Sequence, residues 1–566
     1  MPTLSWIGKD AVVNHHREVP YRLLRDVPEL GCGDPGSGNL LVEGDNLHAL
    51  KALLPYYAGQ VKCIYIDPPY NTGNEGWVYN DAVNSPLIQK WLGETVGKEA
   101  EDLSRHDKWL CMMYPRLQLL KQFLREDGVI FISIDDIELN HLCFLMDEIF
   151  GRDRRLAIFT WVRKKKGSNL SKEFRKVTEY VVAYKNSPAK IELHGAPAYD
   201  EKMVPLINRP NPVGELIFPA GKLLVGRGVP DGVIYPGVKG EDKGELAVTL
   251  DRTIRVENGV IADEFKLSGR WRWSQATVDD ELMNGSRFVV SKDFRINVAR
   301  HNQSEKFKAP SSLLSPDDGI PTNEDATDEL RDIFSDRDKL PFDYPKPSGL
   351  VSYLVRSATQ PGDIVLDAFA GSGTAAHATL FLNSQAPTDA PRRFVVVQMP
   401  HETAEQQTLN VSITRDVTAE RIRRVANGYT NAKGEAVAGL GGGFRYCRLD
   451  APLFSAAGVI NPDVRFAQLA RHVYFTETGE PLPRERVPNT PLVGVHRGTA
   501  VYLLFNGILG DKSRDGGNVL TRALLAQLPP HDGPKVIFAY GCLLGEDRMR
   551  AERLTFRQTP YEIAIA

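Results

Sequence analysis

With 566 residues, 42% hydrophobic and 25% charged, the chain has the composition of an ordinary soluble protein but is too long for one core, so ~150 residues per domain predicts three or four units. Its 69 Lys and Arg against 72 Asp and Glu leave a net charge of −3, so any polyanion must meet a local basic face. No apolar run approaches ~20 residues and the start, "MPTLSWIGKD", has no basic region leading into an apolar core, which excludes a membrane span and shows no secretory signal.

Six scattered cysteines without C-x-x-C, three of them (Cys63, Cys111, Cys143) inside apolar stretches, read as small core residues in a reducing cytoplasm. The histidines show no H-x-x-x-H and no pairing with cysteine, so no metal is expected.

Along the chain, the first forty residues are mixed and predict a solvated arm. "GCGDPG" at 31–36 matches G-x-G-x-x-G but precedes an apolar segment where the fingerprint must follow a strand, so it reads as a turn. Strand and helix then alternate: "LLVEGD" (40–45), "NLHALKALLPYY" (46–57), "VKCIYI" (61–66). A helix over 109–126, closed by Asp127-Gly128, leads to a strand at 129–135 and a helix at 138–150. Alternation of this length predicts βαβ units and a parallel sheet.

"IDPPYNTG" follows the second strand. Neither proline has an N–H to give, so the ladder must stop there, holding Asp67 and Tyr70 rigidly at a strand's carboxyl end, where α/β sheets bind ligands. Residues 151–200 carry twelve Lys or Arg against five acids, densest at Arg163-Lys164-Lys165-Lys166. A Gly- and Pro-rich segment from about 190 to 340, with "RWRW" at 270–273, predicts an inserted β or loop domain whose Trp271 and Trp273 are core residues.

The alternation resumes with "GDIVLDAFAGSGTAAHATLFLN" (362–383), a strand at 392–400 and a helix at 418–426; "GLGGG" (439–443) reads as a linker to a last unit of α/β character. In "VLDAFAGSGT", Gly371 and Gly373 allow a tight turn and close backbone approach to a ligand, and Thr374 opens a helix. There is no Walker lysine and no third glycine for a pyrophosphate. An acid, Asp367, just before such a turn suits a ligand with an ammonium group and little phosphate, such as S-adenosylmethionine. Gln398 ends the next strand, where this topology places a ribose-hydroxyl partner.

Together "GDNLHALK", "VKCIYIDPPYNTGN", "LREDGVIFISIDD", "LMDEIFG" and "FDYPKPSGLVSYLVRSATQPGDIVLDAFAGSGT" resemble the β-group DNA amino-methyltransferases, and among them the modification subunit of type III restriction–modification systems. The likeness covers about 39–190 and 341–430, and the C-terminal segment more loosely. It implies a seven-stranded, mostly parallel, Rossmann-like α/β methyltransferase fold with an inserted target recognition domain and a C-terminal α/β domain. The implied division is an arm (1–38), a catalytic half (39–189), a recognition insert (190–340), a cofactor half (341–430) and a C-terminal domain (431–566).

The resemblance implies methyl transfer from S-adenosylmethionine to adenine N6 of a flipped base in double-stranded DNA. Asp67 and the carbonyl of Pro68, fixed by its ring, would accept from the amine, Pro69 would complete the catalytic motif, and Tyr70 would stack on the base. Asp367 would bind the methionine ammonium, Phe369 would pack on the cofactor, and Gly371, Gly373 and Thr374 would line its pocket. Lys346 would meet the carboxylate, and Asp45 and Asn46 would lie near the adenine ring; capping and surface roles are the alternatives for these three. Arg163–Lys166 would contact phosphate, or else form a solvated face. A homodimer and a helicase–nuclease restriction subunit are the implied partners. The competing activities are cytosine-N4 methylation, methylation of a protein amide, and DNA recognition without catalysis.

Overall fold

The computed structural model describes residues 3–71, 101–165, 175–195, 203–226, 229–240, 246–300, 307–401, 411–455, 457–483, 487, 489–505, 508, 518–560 and 563. The chain divides into two compact units, Met1–Leu193 with Ser311–Ala566, and His194–Pro310.

The larger unit is built around a ten-stranded sheet. Its elements in chain order are β1 (Arg22–Asp26), β2 (Leu40–Glu43), α1 (Asn46–Tyr57), β3 (Val61–Ile66), α2 (Glu101–Phe123), β4 (Leu124–Ile134), α3 (Leu139–Ile149), β5 (Arg155–Val162), β6 (Thr178–Lys185), β7 (Leu313–Leu314), α4 (Asn323–Ile333), α5 (Ser348–Ala358), β8 (Ile364–Asp367), α6 (Thr374–Gln385), β9 (Arg393–Gln398), α7 (Glu420–Asn427) and β10 (Arg445–Pro452). The strand order is β1-β10-β2-β9-β8-β3-β4-β6-β5-β7. From β10 to β4 every neighbour is parallel, whereas β6 runs antiparallel to both β4 and β5. Ten strands replace the expected seven, because β1, β7 and β10 add to the edges of the block from β2 to β5.

The central strands are buried on both faces, which is why they read as unbroken apolar runs. Ile64 and Ile66 of β3 pack into one cluster with α1 and α2, while Cys63 and Tyr65 face another with α5. Each such side chain contributes about 1.5–3 kcal/mol by leaving water.

Several predicted boundaries move. The residues of the N-terminal arm supply β1, antiparallel to β10. The insert is narrower than 190–340: Leu313–Leu314 hydrogen-bonds β5, and α4 buries Leu330 and Ile333 beside Leu41 and Phe394, so 311–340 belongs to the larger unit. The helix predicted to run to 126 stops at Phe123, because Leu124 already pairs with Val61. Gly128 lies within β4 and caps nothing.

The C-terminal residues carry helix α8 (Phe466–Thr478) and a four-stranded sheet, and Leu469 and Val473 of α8 share a core cluster with Leu50 and Leu53 of α1. That shared core joins them to the larger unit.

The second unit is β-rich, with a seven-stranded and a four-stranded sheet and a helix at Gln275–Met283. Trp271 is 6% exposed in its core and donates its indole N–H to the Gly214 carbonyl at 2.9 Å. Trp273 packs against that core with the Arg300 guanidinium 4.4 Å from its ring centroid.

Candidate active site

Strands β3 and β8 are parallel neighbours, with Ile64 opposite Leu366. Asp67 follows the last residue of β3 and Asp367 is the last residue of β8, so two motifs far apart in the chain end at one edge of the sheet. The carboxyls sense each other: the charge on Asp67 helps to push Asp367 upward.

Beyond β3 the loop from Asp67 to Asn71 is tied from several sides. Asp67 Oδ1 accepts from Tyr70 OH at 2.8 Å and lies 3.1 Å from Lys346 Nζ. The Tyr70 bond and the 3.1 Å Lys346 contact are on the same oxygen; Oδ2 accepts no hydrogen bond among the described residues. The Lys346 ammonium also sits 4.6 Å from the Tyr70 ring centroid. The indole N–H of Trp109 donates to the Pro69 carbonyl at 2.7 Å. Burial raises the Asp67 pKa, opposed by Lys346 and by the Tyr70 hydroxyl. Burial also lifts the Tyr70 phenol well above its usual range, with Asp67 and Glu179 adding to the effect, so it is a donor at neutral pH.

Glu179, on β6, completes the group. Its Oε2 is 3.5 Å from Lys346 Nζ, and its Oε1 accepts from Arg163 at 2.6 Å. Burial disfavours its charge, but Lys346 and Arg163 outweigh that and hold its pKa below normal.

The other half of the site is the turn after β8. Gly371 has φ 51°, and a Cβ there would come 3.1 Å from the Phe342 ring; Gly373 has φ 86°. Both need glycine. The turn is braced by Gln398, whose Oε1 accepts from Gly371 N–H at 2.7 Å, and by Asn46, whose amide donates to the Ala368 carbonyl at 3.0 Å. Thr374 Oγ1 donates to the Lys346 carbonyl at 3.2 Å, linking the helix start to the Y-P-K-P segment. Fully buried Arg421 donates to Ser372, Thr374 and Glu329 at 2.8, 3.0 and 3.0 Å. Asp367 is 2% exposed, accepts only from Phe369 N–H at 2.8 Å, and has no cation beside it among the described residues. Burial pushes its pKa up to about 8. A buried carboxyl with one donor and no counter-ion could accept a cationic group.

A third cluster anchors the loop from behind. Asn71, buried at φ 61°, donates to Glu138 Oε1 at 2.5 Å. The same carboxylate, 0% exposed, receives His106 Nδ1 at 2.6 Å and His141 Nδ1 at 2.9 Å. This His–Glu–His group has the donor types of a metal site, although the sequence expects no metal; here the donors bond one another.

Asp67, Tyr70, Lys346, Asn46, Gly371, Thr374 and Gln398 are thus brought together, with some duties changed. Lys346, expected on a cofactor carboxylate, is paired with Asp67 and Glu179. Asp45 caps α1, accepting from His48 N–H at 3.1 Å, and lies 3.3 Å from Arg116, the alternative the sequence left open. Gln398, expected on a ribose, uses its carbonyl on the glycine turn. Phe369 is 5% exposed in the core. Arg163, expected on DNA phosphate, is engaged with Glu179; exposed Lys165 pairs with Asp325 at 2.9 Å. Lys164 is only partly buried, and Lys166 lies outside the described residues. Glu179, Trp109, Glu138 and Arg421 are missed by sequence reasoning. The one local signal was a charge inside an apolar run, as in "TEYVVAYK".

A family model described as DNA methylase matches residues 61–406, a span that holds both motifs. The chain belongs to this family of DNA methyltransferases and groups with its type III modification subunits. It is 30% identical to the EcoPI Mod subunit, a type III restriction-modification enzyme of Escherichia phage P1, over 75% of this chain and 68% of that one. The StyLTI Mod subunit of Salmonella typhimurium is 31% identical, with 75% and 62% covered. The type II methyltransferase M.KpnI of Klebsiella pneumoniae is 28% identical over 69% of this chain and 88% of its own length.

Proposed function

We propose that the chain transfers a methyl group from S-adenosylmethionine to N6 of an adenine extruded from duplex DNA, as the modification subunit of a type III-like system. The observation that carries the reading is the meeting of Asp67 and Asp367 at the ends of adjacent parallel strands. One side of the edge offers an amine acceptor, the other a buried carboxyl without a counter-ion.

The cofactor fits the second side. Asp367 would hold its ammonium, the bare backbone of Gly371 and Gly373 would admit it closely, and Asn46 and Gln398 keep that backbone in place. When bound it supplies an electrophilic methyl group.

The chain's own residues activate the amine. The lone pair of an exocyclic amine is delocalised into its ring, and acceptors at both N–H groups draw it back onto nitrogen. Asp67 Oδ2 and the Pro68 carbonyl, neither accepting a hydrogen bond among the described residues, are those acceptors. The neighbouring Pro69 carbonyl already accepts from Trp109, which favours Pro68 for this part. Asp67 then takes the proton that the methylated amine must lose. The Tyr70 ring stacks on the base, contributing about 1–3 kcal/mol toward the few kcal/mol of extrusion. The type III setting draws on the named relatives; a restriction subunit and a second copy as partners, and cellular DNA in the cytoplasm as substrate, are proposed with it.

The test is incubation of the full chain with labelled cofactor and unmethylated duplex DNA, followed by nucleoside analysis. N6-methyladenine is the expected product; N4-methylcytosine would overturn the choice of base. Asp67→Ala should lower transfer by about 10²–10³-fold while cofactor binding persists. Unchanged transfer would place the catalytic centre elsewhere.

A further inference from the structure

Neither the D-P-P-Y motif nor the glycine turn gives Glu179 a duty. It is 3% exposed on β6, and each of its carboxylate oxygens meets a different cation, Arg163 on Oε1 and Lys346 on Oε2. Tyr70 OH lies between the two acids, 2.8 Å from Asp67 Oδ1 and 3.4 Å from Glu179 Oε2. Two acids, two cations and one phenol therefore form a formally neutral chain, with Lys346, 7% exposed, at its centre.

A buried ammonium beside a single carboxylate is drawn to both of its oxygens, because Lys carries three donors and no fixed fork. Here a second acid pulls the ammonium to one side, and Oδ1 of Asp67 is the oxygen that takes both the Tyr70 bond and the 3.1 Å Lys346 contact.

We propose that Glu179 is a positioning residue for methyl transfer: it holds Lys346 and Tyr70 on Oδ1 of Asp67, so that Oδ2 stays open to the N–H of the amine substrate. The inference rests on Asp67 being the amine acceptor.

The charges around Asp67 give a readout that packing alone does not move. Lys346 and Tyr70 favour its ionised form; Glu179 on β6 opposes it, and Asp367 at the end of β8 carries a like charge when ionised. Removing the charge of Glu179 lets Asp67 stay ionised to lower pH. Removing the ammonium of Lys346 does the reverse.

The experiment measures single-turnover methyl transfer by the full-length chain from tritiated S-adenosylmethionine to unmethylated duplex DNA, across about pH 5 to 9. Glu179→Gln should slow transfer by about ten- to a hundredfold and move the acidic limb down by about one unit. Lys346→Met should move that limb up. A Glu179→Gln profile superimposable on the unaltered chain, or limbs unmoved in both variants, overturns the proposal. If Glu179→Gln fails to fold, Lys346→Met decides alone, and an unmoved or lowered limb counts against it. Asp67→Asn separates the two readings: retained transfer there removes the catalytic centre itself, whereas its loss with an indifferent Glu179→Gln removes only the role of Glu179.

Discussion

The indole N–H of Trp109 donates to the carbonyl of Pro69 at 2.7 Å, from a side chain that is 0% exposed. Of the two successive proline carbonyls, Pro69 accepts a bond from inside the protein, whereas Pro68 accepts none from the described residues. Trp109→Phe keeps the packing but removes the donor. It should slow methyl transfer by about tenfold, through a loosened loop, and leave cofactor affinity within about twofold. Rate and binding measured on the same preparation check this. Equal losses in both would mean general disorder instead.

Asp367 makes cofactor binding depend on pH. Its pKa of about 8 is far above the ordinary 3.8, through burial. An ammonium ligand needs the ionised form, so binding below pH 8 releases a proton. Affinity should rise by roughly tenfold per pH unit up to about 8, then fall as the ligand's own α-ammonium, with an ordinary pKa of about 7.7–8.0, deprotonates. The sign for stability is opposite to that of a paired acid: the unfolded chain ionises first, so this group destabilises the free protein increasingly from pH 3.8 to 8. Asp367→Asn should flatten the affinity profile and raise the melting temperature of the free protein near pH 8. Calorimetry of both forms tests the pair of outcomes.

Glu138 gathers His106, His141 and Asn71. Its hydrogen bond raises the His141 pKa above 6.5, with Asp107 adding to the effect. A raised histidine contributes stability that is complete below pH 6.5 and lost as pH climbs through the folded value. Glu138→Ala strands two rings and an amide, and should cost about 1–3 kcal/mol. Denaturant melts should lose that pH dependence, and transfer should fall because Asn71 no longer anchors the loop.

We propose that the basic run divides into two roles. Arg163 sits on Glu179, whereas Lys164 and Lys165 precede the segment outside the described residues. Replacing Lys164 and Lys165 by alanine should weaken DNA binding and reduce the salt slope by about 0.9 for each phosphate no longer neutralised. Arg163→Met should slow transfer with the slope intact. A reduced slope for Arg163→Met would return it to the DNA face.

Much of this site is written locally. Buried parallel strands are continuous apolar runs, so β2, β3, β8 and β9 declare themselves. Two prolines after Ile66 and two glycines after Asp367 stop those strands through backbone chemistry that needs no distant partner. Asp45 caps α1 by the same short-range logic. Boundaries set by pairing are less legible: α2 yields to β4 at Leu124 because Val61 is there to receive it, and Leu313–Leu314 leaves the insert because β5 offers an edge.

Composition, periodicity and turn chemistry therefore settle which segments are strands, where they end, and that acids stand at two of those ends. They cannot say what Lys346, Glu179 and Arg163 do, since a charge has no meaning until its neighbours are known. Folding brings residues from three separate segments within 4 Å in a place poor in water, where each charge must be answered by another. That mutual answering turns an aspartate at a strand end into an acceptor with one oxygen held and one oxygen open.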